Sequence, residues 1–214
     1  MKFKGIIFDL DGTVADTGED LSNAINLMRE SFGFERKSRE EILKHINFGA
    51  KEFVRGCLPD EKVLDEALIR YKRFYAEHYL DETHLYDGIA ELVESLYKNN
   101  IKLCVLSNKH EDMTKRIVSG LLDNHYFVEV LGGSERFPHK PNPDSALYLA
   151  GKMGFEPCEI LYIGDSDVDM QTAINAGMFP LGVTWGYRPE SVLVEAGAKK
   201  IVYSPGEILD FVME

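Results

Sequence analysis

The sequence predicts an α/β protein in which a doubly wound parallel sheet carries an inserted all-α domain. Short apolar runs alternate with amphipathic segments of helical length, the pattern of a parallel sheet covered by helices. One long stretch, residues 16–81, has helical periodicity and no convincing strand. At 214 residues, the chain has room for one large domain with a modest insertion.

Five short, mainly apolar runs are predicted to form buried strands. These runs cover residues 3–8, 101–106, 126–131, 159–164 and 180–184. Helices are predicted for residues 88–99, 143–154 and 167–177. The last of them closes on Gly177, a residue suited to a helix C-terminus.

The clearest helix of the insertion covers residues 60–80, where apolar side chains recur at helical spacing from Leu64 to His78. Roughly four helices fit into the insertion as a whole. The predicted units are a core domain of residues 1–15 and 82–214, a cap domain of residues 16–81, and hinges near 14–17 and 81–87.

Composition excludes several classes of partner. The chain has 24 basic and 36 acidic residues, a net charge of −12, which disfavours nucleic acid and anionic lipid. Cys57, Cys104 and Cys158 are widely spaced, so we expect reduced thiols rather than a zinc site or disulfides. No apolar run reaches the roughly 18 residues of a membrane helix, and the run Gly5–Phe8 is too short for a signal peptide. We therefore expect a cytoplasmic monomer or homodimer.

Polar side chains collect at the carboxyl ends of the predicted strands. They are Asp9 and Asp11 after the first, Ser107, Asn108 and Lys109 after the second, Lys140 after the third, and Asp165, Asp167 and Asp169 after the fourth. Ligands of open parallel sheets bind at this edge. The convergence of four segments therefore predicts a site there.

Carboxylates gathered in this way need a compensating charge. Two of them about 4 Å apart repel by roughly 4 kcal/mol at an effective dielectric constant of 20. The available ligands are all oxygens, which favours Mg²⁺ over zinc. Lys140 adds a second positive charge. A metal and a lysine within an acidic cluster suit a phosphoryl group.

Each residue also has an ordinary interpretation when it is taken alone. Asp165 could cap a helix, Ser107 and Asn108 could form a turn, and Lys140 could be a solvated surface lysine. A calcium loop at 165–176 is disfavoured, because Met170 and Ala176 stand where such loops need Gly and Glu. The joint occurrence of Asp165, Ser107, Asn108 and Lys140 at strand ends favours a ligand site at the sheet edge over these separate interpretations.

In their order and spacing, four sequence motifs resemble those of the haloacid dehalogenase-like hydrolases. They are DLDGT, LSNK, the lysine of KPNPD, and GDSDVD. The helical insertion is similar to the small cap of the phosphoglycolate phosphatase and β-phosphoglucomutase branch. Within and beyond it, INFGAKEFVRGCL and GVTWGYRPE resemble segments of phosphoglycolate phosphatases. The resemblance implies a Rossmann-like core.

The resemblance also implies three catalytic residues. Asp9 would attack phosphorus and form an aspartyl-phosphate. Asp11 would protonate the leaving oxygen and then deprotonate the hydrolytic water. Lys140 would neutralise the charge shared by Asp9 and the phosphate.

The remaining implied residues bind the metal or the substrate. Asp165 would bind Mg²⁺ directly, and Asp169 through water or as an anchor for Lys140. The implied metal residues are Asp9, Asp11 through its backbone carbonyl, Asp165 and Asp169. The substrate residues are Ser107 and Asn108, which would hold phosphoryl oxygens, and Thr13, which would help to fix Asp11.

In the cap, Lys51 and Arg55 share a face of a predicted helix, and His45 lies one or two turns earlier. Some of these residues could meet a distal carboxylate or second phosphate of the substrate, with Lys51 the first candidate. A solvated basic face is the other interpretation.

Taken together, these features predict a Mg²⁺-dependent phosphatase for a small phosphorylated metabolite, with 2-phosphoglycolate as the first candidate. A phosphatase or pyrophosphatase with another substrate, or a sugar-phosphate mutase, remains open. A silent scaffold that binds phosphometabolites is disfavoured, because pure binding needs no nucleophile such as Asp9.

Overall fold

The computed structural model describes residues 3–46 and 48–214. Asn47, which falls within the predicted cap, lies outside the described residues, as do residues 1 and 2. The strands are β1 (Gly5–Phe8), β2 (Ala15–Asp16), β3 (His84–Leu85), β4 (Lys102–His110), β5 (Phe127–Gly133), β6 (Ile160–Gly164), β7 (Phe179–Val183) and β8 (Lys200–Val202).

Helices cover much of the remaining chain. They are α1 (Gly18–Glu30), α2 (Arg39–Leu43), α3 (Ala50–Gly56), α4 (Leu64–His78), α5 (Ile89–Lys98), α6 (Glu111–Leu121), α7 (Asp144–Met153), α8 (Asp167–Asn175), α9 (Glu190–Glu195) and α10 (Pro205–Met213). The four helices α1 to α4 lie in the stretch for which sequence periodicity predicts about four.

The main sheet is parallel, with the strand order β5-β4-β1-β6-β7-β8. Its first strand lies between β4 and β6, so Phe8 is paired with Val105 on one side and Ile163 on the other. After β1 the chain forms β4 and β5 on one side of it and then crosses to form β6, β7 and β8 on the other side. This reversal makes the carboxyl end of β1 the topological switch point. The predicted doubly wound parallel sheet is confirmed.

Successive residues of β1 point to opposite faces of the sheet, and both faces are covered. Ile6 and Phe8 belong to one buried apolar cluster, whereas Ile7 belongs to the other. All four residues of β1 are buried, which explains why this strand is an unbroken apolar run instead of an alternating one.

Helices α6, α9 and α10 were not among the predicted elements, and neither were two features of the strands. The three-residue strand β8 extends the sheet at one edge beside β7. The segments predicted as hinges pair with each other, because β2 and β3 form an antiparallel ribbon with Ala15 opposite Leu85 and Asp16 opposite His84. The division into core and cap domains stays a prediction.

Candidate active site

The carboxyl end of β1 places Asp9 in the middle of the sheet edge, and three further segments surround it. The Lys140 ammonium is 2.7 Å from Oδ1 of Asp9 and 2.7 Å from Oδ1 of Asp169, and it also donates to the Leu106 carbonyl at 3.2 Å. Lys140 is only 5% exposed. The sequence interpretation of Lys140 as a solvated surface lysine is therefore wrong.

Three buried carboxylates form a compact group at this edge. Asp9, Asp165 and Asp169 each place one oxygen within 4.8 Å of the others. When all three carboxyls are ionised, Lys140 supplies one positive charge against their three negative charges, which leaves a net charge of −2. An all-oxygen donor set with this residual charge fits a hard divalent cation such as Mg²⁺.

Burial strongly perturbs the titration of these carboxyls. Burial, and then the neighbouring charges of Asp169 and Asp165, raise the pKa of Asp9 well above its usual value despite the opposing effect of Lys140. Burial and then Asp169 raise the pKa of Asp165 to about 7. Burial disfavours the charged form of Lys140, but Asp169 and Asp9 outweigh it and raise the pKa of this lysine well above its usual range.

Asp165 is held by the backbone of a neighbouring segment. The Tyr187 N–H donates to its Oδ2 at 2.6 Å, and the Thr13 hydroxyl lies 3.4 Å from its Oδ1. A Cβ atom at Gly12 or Gly186 would collide with this carboxylate, and Gly12 also has a φ of +90°. Both glycines are therefore needed for Asp165 to reach its position.

The start of α8 orients Asp169. Ser166 is the N-cap residue, and its hydroxyl accepts a hydrogen bond from the Asp169 N–H, while the Asp169 Oδ2 accepts from the Ser166 N–H and hydroxyl. The helix-cap interpretation of Asp165 is thus wrong, because its neighbour Ser166 fills that role.

Asp11 contacts a different threonine from the one expected. The Thr17 hydroxyl donates to Asp11 Oδ1, whereas the Thr13 hydroxyl points to Asp165. Thr13 lies within the tight turn after Asp11, where its hydroxyl reaches Asp165 across the sheet edge. The expected contact between Thr13 and Asp11 is therefore replaced by one from Thr17, at the start of α1.

Ser107 and Asn108 lie within the long strand β4. The Ser107 hydroxyl is 3.5 Å from Asp11 Oδ2. The Asn108 side chain bonds to the backbone of Lys140 in both directions, accepting from its N–H at 2.8 Å and donating to its carbonyl at 3.1 Å. Asn108 thus fixes the loop that delivers the Lys140 side chain.

Lys51 is not among the described residues that line the cavity over this edge. Its side chain is 55% exposed, with Nζ 3.9 Å from Asp65. Arg55 pairs with Glu52 and Glu61 on the same outer surface. The shared helix face exists, but helix packing turns it towards solvent and not towards the cavity.

The cavity itself has a volume of about 310 Å³ and lies between the sheet edge and helices α3 and α4. Its wall is made by Asp9, Asp11, Leu21, Ile46, Gly49, Ala50, Phe53, Tyr71, Lys72, Tyr75, Ser107, Asn108, Lys109, His110, Asp112, Met113, Arg116, Lys140, Ser166 and Val168. The wall therefore combines charged and polar side chains of the sheet edge with apolar and aromatic side chains, most of them from the helices.

Lys109 had no role predicted from the sequence, and the structure places it inside this cavity. Its Nζ is 3.1 Å from Asp11 Oδ1 and donates to the Tyr75 hydroxyl at 2.8 Å. Alternation along a strand puts Lys109 on the same face as Ser107, so strand periodicity could have found it. Tyr75 carried no such signal, because its contact joins residues 34 positions apart.

Comparison with known proteins places this geometry in a family. Residues 6–183 match the family model of the haloacid dehalogenase-like hydrolases. Phosphoglycolate phosphatases of Haemophilus influenzae and Photobacterium profundum are 32% and 34% identical to this chain. The alignments cover 91% and 86% of this chain, and 92% and 84% of those relatives.

A solved structure shows the same arrangement over nearly the full length. It is the crystal structure of a predicted phosphoglycolate phosphatase from Haemophilus somnus 129pt, with a TM-score of 0.93 and 27% identity. The superposition covers 99% of each chain. On the family match, the sequence identity and the shared fold together, the chain belongs to the haloacid dehalogenase-like hydrolases.

Proposed function

We propose that this protein is a Mg²⁺-dependent phosphatase that hydrolyses a small phosphate monoester through an aspartyl-phosphate on Asp9. The observation that carries the proposal is the buried Lys140 ammonium, 2.7 Å from both Asp9 and Asp169, beside a third carboxylate, Asp165. A site with a net charge of −2 can accept a divalent cation and, with it, a phosphoryl group.

In the first step, Asp9 attacks phosphorus and the bond to the leaving alcohol oxygen breaks. Asp11 lies two residues further along and donates a proton to that oxygen, so the alcohol leaves uncharged. Ser107 hydrogen-bonds a phosphoryl oxygen. Lys140 stabilises the charge shared by Asp9 and the phosphate, and Asn108 keeps Lys140 in place through its backbone.

In the second step, Asp11 takes a proton from a water molecule that attacks the aspartyl-phosphate. The phosphorus–oxygen bond to Asp9 breaks, which regenerates the carboxylate and releases inorganic phosphate. Asp9, Asp165 and Asp169 would hold Mg²⁺, together with the backbone carbonyl of Asp11. When bound, the metal offsets the repulsion between Asp9 and the phosphoryl oxygens.

The first candidate substrate is 2-phosphoglycolate, because relatives at 32% and 34% identity carry the name phosphoglycolate phosphatase. The cavity of about 310 Å³ has room for a small ester.

Release of inorganic phosphate from 2-phosphoglycolate tests the proposal directly. We expect turnover with Mg²⁺, none after chelation, and recovery when Mg²⁺ is restored. Asp9→Asn should lower kcat by at least about 10³-fold while the protein stays folded. Borohydride reduction during turnover should convert Asp9 to homoserine. Turnover that persists without divalent metal, or in Asp9→Asn, would contradict the proposal.

A further inference from the structure

Four cations line the described part of the cavity, and they differ in exposure. Lys140 is engaged by Asp9 and Asp169. Lys72 and Arg116 are exposed at the rim, and Arg116 stacks on the Tyr79 ring at 4.4 Å. Lys109 is different, because its side chain is 8% exposed and its ammonium lies inside the cavity.

Lys109 joins the sheet edge to helix α4. Its Nζ lies 3.1 Å from Asp11 Oδ1 and 2.8 Å from the Tyr75 hydroxyl, and 4.5 Å from the centre of the Tyr75 ring. An ammonium has three N–H donors, and these two partners use two of them. The third N–H can bind an oxygen of a ligand in the cavity.

Tyr75 offers a second donor at the same place. Burial, and then the charges of Asp11 and Asp20, raise the pKa of Tyr75 well above its usual value, so the phenol keeps its proton. Because its oxygen accepts a hydrogen bond from Lys109, the phenol O–H points elsewhere. Tyr75 is 4% exposed and lines the cavity.

The position of Asp11 determines which ligand groups come close to this pair. Under the proposed function, Asp11 protonates the oxygen that leaves phosphorus. Groups attached next to that oxygen therefore lie within a few ångströms of Asp11. Once Asp11 has given up its proton, its negative charge repels a carboxylate placed there unless a nearby positive charge offsets the repulsion. The Lys109 ammonium lies beside Asp11 and supplies that charge.

We propose that Lys109 and Tyr75 form a subsite that selects phosphate esters with a carboxylate on the leaving alcohol. This inference rests on the phosphatase function proposed above. The Lys109 ammonium binds the carboxylate and offsets its repulsion by Asp11, while the Tyr75 hydroxyl donates a hydrogen bond to it. Tyr75 lies on α4 and Lys109 on β4, so the subsite is complete only when α4 packs against the carboxyl end of β4.

The test compares two esters of similar size. One is 2-phosphoglycolate, and the other is 2-hydroxyethyl phosphate, in which a neutral hydroxymethyl group replaces the carboxylate. The readout is the ratio of their kcat/KM values, because a general disturbance of Asp11 affects both esters and cancels. We expect wild type to prefer 2-phosphoglycolate, and Lys109→Met to lower the ratio by at least about tenfold.

Two further variants keep the test independent of how well Lys109→Met folds. Lys109→Arg retains the charge and should keep most of the ratio, whereas Tyr75→Phe should lower it about threefold through loss of one hydrogen bond. The matched control is Lys72→Met, which removes an equal charge from the rim and should leave the ratio within about twofold of wild type.

Three results would overturn the subsite. The first is a ratio of kcat/KM values that is unchanged in both Lys109→Met and Tyr75→Phe. The second is a fall of this ratio in Lys72→Met as large as the fall in Lys109→Met. The third is a wild-type enzyme that hydrolyses both esters without preference. In the last case the phosphatase function stands and only the subsite fails. If wild type with Mg²⁺ hydrolyses neither ester, the proposed function fails and the subsite fails with it.

Discussion

At the scale of single residues, the raised pKa of Asp165 makes the proposed metal site sensitive to pH. Its pKa of about 7 means that this carboxyl holds a proton in more acidic solution. Mg²⁺ has to displace that proton, so acid competes with the metal. Its exposed neighbour Asp167 is not one of the three clustered carboxylates.

We therefore predict that the apparent Kd for Mg²⁺ rises about tenfold per pH unit as the pH falls below about 7. Titration calorimetry at pH 6 and pH 8, in buffers of different ionisation enthalpy, measures both the Kd and the released proton. Asp167→Asn is the matched control and should behave as wild type. A Kd that is constant over this range would show that Asp165 is not a metal ligand.

The three cysteines should differ in reactivity. Burial raises the pKa of Cys57 to about 12 and that of Cys104 to about 12, whereas Cys158 is exposed. We predict that a thiol reagent at pH 8 modifies one cysteine rapidly in the native protein and all three after denaturation. Cys158→Ser should abolish the rapid phase. A rapid phase that persists in this variant would contradict the prediction.

At the scale of elements, the segment after β7 connects the acidic cluster to helix α2. Within it, the Tyr187 N–H binds Asp165, and the Tyr187 hydroxyl donates to Asp16 Oδ1 at 3.0 Å. The next residue, Arg188, donates to three backbone carbonyls at the end of α2, those of Leu43, Lys44 and Ile46. The Leu43 carbonyl also accepts a hydrogen bond from the Ile46 N–H at 3.3 Å, and the guanidinium gives each of the three carbonyls at this helix end a side-chain partner.

We predict that Arg188→Met destabilises the protein by roughly 1–3 kcal/mol, because three carbonyl hydrogen bonds are lost at once. Urea unfolding measures this change. Limited proteolysis should also cut residues 39–46 faster than in wild type. The control Lys44→Met removes an exposed ion pair with Glu40 and should unfold as wild type does. Equal stability of Arg188→Met and wild type would show that this contact does not stabilise α2.

At the scale of the whole molecule, the carboxylates concentrated at one sheet edge couple metal binding to stability. The pKa values of Asp9 and Asp165 are raised above those of the unfolded chain. Between about pH 4 and pH 7 the folded metal-free protein thus keeps a proton on Asp165 that the unfolded chain has lost, so the contribution of Asp165 to stability falls as the pH rises through this range, and Asp9 acts in the same direction. A cation bound to these carboxylates offsets that loss.

We predict that the difference in Tm between Mg²⁺-loaded and chelated protein grows as the pH rises from 5 to 8. Thermal unfolding in both conditions at several pH values measures it. Asp9→Asn removes one of the charges and should reduce the difference at pH 8. A difference that is independent of pH, or that shrinks with rising pH, would contradict the coupling.

The larger framework of the molecule followed from sequence patterns. Five strands of the main sheet could be predicted to within a few residues, because each contains a short, mainly apolar run. The edge strand β8 could not, because its three residues are too few to establish a period.

Among residues 3–46 and 48–214, no helix is both long and apolar enough to cross a bilayer.

By itself, the sequence determined which polar residues meet at the sheet edge, because residues that follow parallel strands share one edge whatever the details of packing. Asp9, Lys140, Asp165 and Asp169 follow from that rule. Only the tertiary structure decided that Thr17 contacts Asp11, that Lys51 faces solvent, and that Lys109 meets Tyr75. Such contacts depend on how helices from distant parts of the chain are rotated and packed against the sheet, and local periodicity carries no information about that.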